Sequence, residues 1–196
     1  MSPDQRQRHT ALVVFVTVMA AMQALSLWRL GHPWISTSGK FELWHGEVFS
    51  SENSQQLTDW YTLGHINHGI LAYGFLWLVA RRLPWTWRLG IAAVSSFLWE
   101  VIENTDAVIN RFRAVTISLD YYGDSVLNSV ADTLAMTAGF LLARVLPVWV
   151  SVAIVLGTEA LSTWMVRDGL FLNALMLTFP IEAVKDWQMQ GWEGGM

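Results

Sequence analysis

The chain contains no cysteine and few charged residues, and both absences limit what it can be. Without cysteine, its 196 residues form no disulfide and offer no thiolate ligand to a metal ion. Only 14% of the residues are charged, whereas soluble domains carry about 25%. The formal net charge is −4 and no basic stripe is present, which argues against nucleic acid as a partner.

Apolar residues are correspondingly abundant. They make up 53% of the chain, which also holds 12 tryptophans and has a mean hydropathy of +0.35. This composition favours a polytopic transmembrane helical bundle, an all-α fold, because a helix satisfies its own backbone hydrogen bonds in lipid. No repeat of fixed period and no low-complexity run interrupts the sequence, so we expect one domain over residues 1–196.

Six apolar segments approach the length of about 20 residues that a helix needs to cross a bilayer. We expect spans at about 11–30, 64–80, 89–106, 124–143, 147–166 and 169–184. The first segment is longer than the apolar core of a signal peptide, which has about 7–15 residues, so we expect it to be a retained span. The last segment is short and contains Pro180, which favours a kinked or partial span.

Basic residues predict the orientation of these spans. Arg6 and Arg8 precede the first span, and three arginines lie in the short loop 81–88. Positive charge in short loops and flanks favours the cytoplasmic side. We therefore expect a multi-pass membrane protein with both termini in the cytoplasm. Segments 31–63 and 104–123 would then lie at the outer face.

Ionisable residues fall at the outer ends of several predicted spans. A charge placed in hydrocarbon costs at least about 2.5–3.5 kcal/mol, so such residues usually face a protein interior and often mark function. Because they come from different spans at one predicted depth, we expect them to share a pocket. The residues are His65, His68, Glu100, Glu103, Asp124, Asn128, Asp132 and Glu159.

Their spacing resembles that of metal sites in helical bundles, where carboxylates and imidazoles project from neighbouring helices at i,i+3 positions. We predict metal ligands at His65, His68, Glu100 and Asp124, and acid–base or water-orienting roles for Glu100, Glu103 and Asp132. This set of ligands suits zinc, iron or manganese. Substrate contacts are predicted for Arg111, Arg113, Asn128 and Tyr121, because guanidinium groups match phosphate oxygens bidentately.

The same residues also admit structural roles. Asp124 precedes a helix and could serve only as its N-cap. Arg111 and Arg113 could pair with neighbouring acids rather than with a ligand. Asp132 and Glu159 could belong to a hydrogen-bonded knot between helices.

Three stretches carry a resemblance to a known family. They are DWYTLGHINHG (59–69), WEVIENTDAVINRFR (99–113) and YYGDSVLNSVADTLAM (121–136). They resemble an uncharacterised family of alphaproteobacterial inner-membrane proteins, catalogued as a domain of unknown function. The resemblance implies a polytopic membrane fold and no established activity. Asp124 and Asn128 also match the Asp-x-x-x-Asn pattern of VanZ-like membrane proteins, an analogy that favours a role at the cell envelope.

Three hypotheses of function follow. The first is a membrane-embedded enzyme that acts on the headgroup of a lipid or lipid-linked envelope molecule at the outer leaflet, by metal-assisted hydrolysis or transfer. The second is a non-catalytic binding or assembly protein whose polar cluster stabilises the fold or receives a protein partner. The third is a proton-coupled transporter, since acids within a membrane suit proton relays.

Overall fold

The structure, a computed structural model, describes residues 3–193, and these form eight helices and no β-strand. The predicted domain limits, residues 1 and 196, lie outside the described part, as does the side chain of Arg8. The helices are α1 (Pro3–Leu30), α2 (Trp60–Val79), α3 (Trp85–Glu103), α4 (Asp106–Val115), α5 (Val126–Val145), α6 (Val148–Val166), α7 (Leu170–Thr178) and α8 (Glu182–Glu193).

Local sequence determines where the long helices begin. Asp59 caps α2, since its side chain accepts from the backbone N–H of Thr62 while the Thr62 hydroxyl accepts from the Asp59 N–H. Ser125 caps α5 through its hydroxyl, which accepts from the backbone N–H of Asn128. Pro84 and Pro147 stand immediately before α3 and α6, as expected of a residue that cannot continue a preceding helix.

The closest helix pair is α2 with α5, and two glycines permit its approach. A Cβ atom on Gly69 would overlap the carbonyl oxygen of Met136, and one on Gly139 would overlap that of Ile66. Gly74, one of the glycines spaced five apart in α2, has open space around it. Close packing of α2 against α5 therefore depends on Gly69 and Gly139, and not on Gly74.

The long helices alternate in direction. Thr62 donates to Asp132 near the starts of α2 and α5, and the ring of Tyr73 packs edge-on against Phe140 further along both, so these two helices run parallel. The contacts of α1, α3 and α6 show that these helices run the opposite way. One end of the bundle consequently collects the starts of α2 and α5 and the ends of α1, α3 and α6.

Segment 31–59 packs on that end of the bundle. The backbone N–H groups of residues 125–127 donate to carbonyl oxygens of Pro33, Trp34 and Ser54. The first N–H groups of a helix lack partners within the helix, so the segment completes the start of α5.

Three helices are long and apolar enough to cross a bilayer: Thr10–Leu30, Val126–Val145 and Val148–Val166. Helices α2 and α3 have 20 and 19 residues, with polar groups among them. Large apolar side chains remain exposed on the flanks of the bundle, including Val13, Trp77 and Leu156. Extended apolar surface of this kind marks a membrane or protein contact, and with the three helices it suggests a membrane protein.

Five predicted spans fall on α1, α2, α3, α5 and α6, but the sixth, 169–184, is not one helix. It divides around Pro180 into α7 and α8, and the nine residues of α7 reach only about 13 Å. The side chain of Gln188 in α8 donates to the carbonyl oxygen of Arg167 at 2.8 Å, so α8 lies at the end where α6 finishes. The start of α1 lies at the other end, which differs from the predicted placement of both termini on one side. The predicted loop 104–123 also holds a helix, α4.

Candidate functional site

A cavity of about 380 Å³ lies at the end of the bundle where α2 and α5 begin, with walls from α2, α3, α4, α5, α7 and the loops beside them. We call it the polar chamber. Its apolar wall includes Leu71, Phe112 and Leu177. Its polar lining residues are Asn53, Ser54, Tyr61, His65, His68, Ser95, Glu103, Ser118, Tyr121, Asp124, Asp132 and Asn173.

His65 lies between two buried carboxylates on one side of the polar chamber. Its Nδ1 is 3.5 Å from Oε1 of Glu100, and its Nε2 is 3.7 Å from Oδ2 of Asp132. The other oxygens of these acids accept hydrogen bonds, Glu100 from Ser129 at 2.7 Å and Asp132 from Thr62 at 3.1 Å. Oε1 of Glu100 is buried and has no hydrogen-bond partner.

A second grouping shares Glu100. One carboxylate oxygen each from Glu100, Glu103 and Asp124 lies within 4.8 Å of the others. Asp124 sits in the loop before α5, where it accepts from the amide of Asn104 at 2.7 Å and from the Tyr121 hydroxyl at 3.0 Å. The last turn of α3 and a loop residue 21 positions further along the chain therefore bring three acids to one place.

Burial changes the protonation of the groups in this loop. It raises the pKa of Asp124 to about 6, although the hydrogen bonds from Asn104 and Tyr121 partly oppose the rise. Burial and the neighbouring charge of Asp124 hold the pKa of Tyr121 well above its usual value. Tyr121 thus keeps its proton and remains a hydrogen-bond donor to Asp124 near neutral pH.

The predicted ligands and acid–base residues are brought together, whereas three of the four predicted substrate contacts, Arg111, Arg113 and Asn128, do not line the cavity. His65, His68, Glu103, Asp124, Asp132 and Tyr121 line the polar chamber, and Glu100 lies directly behind His65. Arg111 donates to the carbonyl oxygen of Leu177, and Arg113 donates to Asn110 while stacking over Tyr122. Neither arginine lines the cavity, so the predicted phosphate contact has no counterpart there.

Asn128 is buried beneath the chamber and its amide donates to the carbonyl oxygen of Gln56 at 2.9 Å. Its Oδ1 is buried without a partner. Asn128 therefore ties α5 to segment 31–59 and does not line the cavity.

The structural alternatives are decided residue by residue. Asp124 is not the N-cap of α5, because Ser125 occupies that position. Glu159 does belong to a structural knot: it accepts from Asn67 at 3.0 Å and from the backbone N–H groups of Leu170 and Phe171, which start α7. The expected pairing of Arg111 and Arg113 with acids is absent among the described residues, where both bind uncharged acceptors.

Asp168 and Gln23 are polar anchors that sequence reasoning did not assign to the site. Asp168 accepts from the Tyr61 hydroxyl at 3.0 Å and from Gln188 at 3.3 Å, so it joins α2 to α8 beside the chamber. Gln23 is fully buried and donates to Ser129, which in turn donates to Glu100. The sequence does contain an indication for Gln23, because a polar residue inside the first apolar segment is expected to face a protein interior.

Fold and site together define a helical protein with membrane-spanning candidates and a carboxylate–histidine chamber at one end of its bundle. Over residues 27–190 the chain matches the family described as Protein of unknown function (DUF2585), and it belongs to that family. It is 60% identical to a UPF0314 protein of Paracoccus denitrificans (strain Pd 1222), over 87% of this chain and 89% of the relative.

Two further relatives cover nearly the whole chain. A UPF0314 protein of Rhizobium meliloti (strain 1021) is 51% identical over 95% of both chains. One of Sphingopyxis alaskensis (strain DSM 13593 / LMG 18877 / RB2256) is 45% identical over 93% of this chain and 96% of its own. The resemblance to an uncharacterised alphaproteobacterial family is thereby confirmed. No solved structure matches the chain.

Proposed function

We propose that the chain is a multi-pass enzyme of the bacterial inner membrane that binds a divalent metal ion in the polar chamber. It would hydrolyse or transfer a group at the headgroup of a lipid or lipid-linked envelope molecule. The observation that carries this proposal is the approach of Glu100, Glu103 and Asp124 to within 4.8 Å, together with the unpartnered buried oxygen of Glu100.

A divalent metal ion would compensate the negative charge of Glu100, Glu103 and Asp124. A buried carboxylate oxygen without a partner costs roughly 1–3 kcal/mol or more when charged, and like charges at this separation repel. A divalent cation satisfies the oxygen and neutralises two of the charges. Carboxylate oxygens with the nearby imidazole of His65 form a donor set that suits zinc, iron or manganese.

The chain's own residues then have defined roles. A bound metal ion would supply an activated water and polarise the oxygen of the bond under attack. Asp132, whose Oδ2 lies 3.7 Å from Nε2 of His65 on the wall of the chamber, would take a proton from the water and return it to the leaving oxygen. Tyr121 holds the Asp124 carboxylate in place through its hydroxyl.

Metal analysis of purified protein tests the proposal. After incubation with zinc, iron or manganese and removal of excess, we expect roughly one ion per wild-type chain. Glu100→Gln and Glu103→Gln each replace a carboxylate by an amide of the same shape and should lose the ion. Asp120→Asn removes an exposed acid at the same end and should retain it. A wild-type protein that binds none of the three metals would refute the metal site.

One observation favours the second hypothesis, that the polar cluster is structural. The Gln23–Ser129–Glu100 chain of hydrogen bonds joins α1, α5 and α3 in the manner of an interhelical tie. If that is its whole role, the glutamine variants bind no less metal than wild type and only the stability of the protein changes.

The transporter hypothesis receives less support. Toward the end of the bundle away from the polar chamber, an apolar cluster packs around Leu76, Leu89, Met136 and Phe140. None of the six buried members of this cluster carries a polar side chain. A proton relay needs a chain of polar groups, which this cluster does not supply, so metal-assisted chemistry remains the function that we propose.

A further inference from the structure

The polar chamber opens on the side of the bundle. Four of its lining residues are exposed: Leu71 of α2, Ser95 and Trp99 of α3, and Ala174 of α7. The exposed fraction is 41% for Leu71 and 37% for Trp99. We call these four residues the lateral opening.

The lateral opening lies well below the end of the bundle. Leu71 follows Trp60, the first residue of α2, by eleven residues, which is about 16 Å along the helix. Ser95 precedes Glu103, the last residue of α3, by eight residues, or about 12 Å. At such a depth a membrane-spanning helix is surrounded by hydrocarbon. The neighbouring exposed side chains, such as Phe75 and Leu98, are apolar.

The charges inside the chamber select against anions. The carboxylates of Glu103, Asp124 and Asp132 line the chamber and that of Glu100 lies behind His65; together they carry a formal charge of −4 when ionised, and a divalent ion would leave −2. Among the residues that the structure describes, no lysine or arginine lines the cavity to offset them. An anionic group in these surroundings is repelled, whereas an ammonium group is attracted.

Aromatic side chains strengthen this preference. Trp60, Tyr61, Trp99, Phe112 and Tyr121 all line the chamber. The faces of aromatic rings attract cations, and sites that bind alkylated ammonium groups commonly combine several rings with an acid. A cavity of about 380 Å³ falls in the range of small-molecule sites.

We propose that the polar chamber receives from the bilayer an amphiphile with an amine or ammonium headgroup, whose hydrocarbon chain leaves through the lateral opening. The proposal rests on the proposed function, since it takes the chamber as the place where the headgroup reacts. The ammonium lies among the acids and rings, and the first methylenes of the chain lie against Leu71 and Ala174. The substrate class is therefore a membrane lipid that carries positive charge in its headgroup.

Binding of two probes with the same chain tests this. We would measure the affinity of dodecyltrimethylammonium and of dodecyl phosphate for the purified protein in an uncharged maltoside detergent, by native mass spectrometry. We expect the ammonium probe to bind at least tenfold more tightly. Ser95→Trp and Ala174→Trp obstruct the lateral opening from two different helices and should each weaken that binding at least tenfold. Leu98→Trp, exposed on α3 but outside the chamber, is the matched control and should not change it.

Two results would overturn the proposal: a phosphate probe that binds as tightly as the ammonium probe, or wild-type affinity in both tryptophan variants. The measurement is made with and without a chelator, and metal content is determined on the same samples. Ammonium binding that persists in protein that never takes up metal leaves this inference standing while the proposed chemistry fails. Metal uptake without a preference for the ammonium probe would refute this inference and leave the proposed metal chemistry standing.

Discussion

Replacing Gly69 by alanine tests the contact on which the geometry of the chamber depends. The added methyl group would overlap the carbonyl oxygen of Met136 and lie 2.7 Å from the Phe140 nitrogen. Non-bonded heavy atoms keep roughly 3.5 Å apart, so α2 and α5 must separate. Both obstacles are backbone atoms and cannot rotate away.

The expected loss of stability can be estimated from two opposing effects. Overpacking costs about 1–3 kcal/mol, and a backbone obstacle places Gly69→Ala near the upper value. Alanine in a helix recovers about 1 kcal/mol relative to glycine, which leaves a net loss of about 2 kcal/mol. For a chain of this size that corresponds to a fall in melting temperature of roughly 4–8 °C.

Thermal unfolding in detergent, followed by circular dichroism, measures this fall. Gly74→Ala is the matched control, because it lies in the same helix with open space around it and should leave the melting temperature unchanged or raise it. His65 and Asp132 lie on the two helices that separate, so Gly69→Ala should also lower metal uptake. Equal melting temperatures for the two variants would refute the reasoning.

Two other predictions concern the loop after α6 and the direction of the chain. Burial raises the pKa of Asp168 to about 7 from an ordinary value near 3.8, so the folded state keeps a proton that the unfolded state releases. Stability should therefore fall as pH rises from about 4 to 7, and Asp168→Asn should flatten this fall in melting curves recorded across that range; an unchanged slope contradicts it. Since the chain has no cysteine, single cysteines at Asp120, Asp186 and Arg82 can be labelled with an impermeant maleimide. Asp120 and Asp186 should react from one side of the membrane and Arg82 from the other, and labelling of Asp186 together with Arg82 would refute the observed placement of α8.

The positions of the long helices could be predicted because local sequence determines them. Apolar runs of span length, bounded by Pro84 and Pro147 or opened by polar caps, gave five of the helices. The convergence of His65, Glu100 and Asp132 also follows from the sequence, once alternating helix direction places them at one end.

Other features depend on contacts that no local pattern contains. The short α4 lies in a polar stretch whose helix is stabilised by burying Ile109 and Phe112 against Tyr121 and Leu177. Pro180 indicated that the last predicted span would be broken. The position of α8 beside the end of α6, however, depends on the long-range hydrogen bond from Gln188 to Asp168. A phosphate contact was predicted for Arg111 and Arg113 from the chemistry of the guanidinium group, with pairing to nearby acids as the alternative, but the direction of both side chains depends on how α4 packs.

The bond of Gln23 has a consequence for how the protein is made. Its partners Ser129 and Thr133 lie 106 and 110 residues further along the chain, so they are synthesised long after α1. A buried amide without a partner is costly, and the first helix must keep that group hydrated until α5 arrives. The hydrogen bonds that join Gln23 to Ser129 and Ser129 to Glu100 therefore form late, and the earliest part of the chain is among the last to reach its final place.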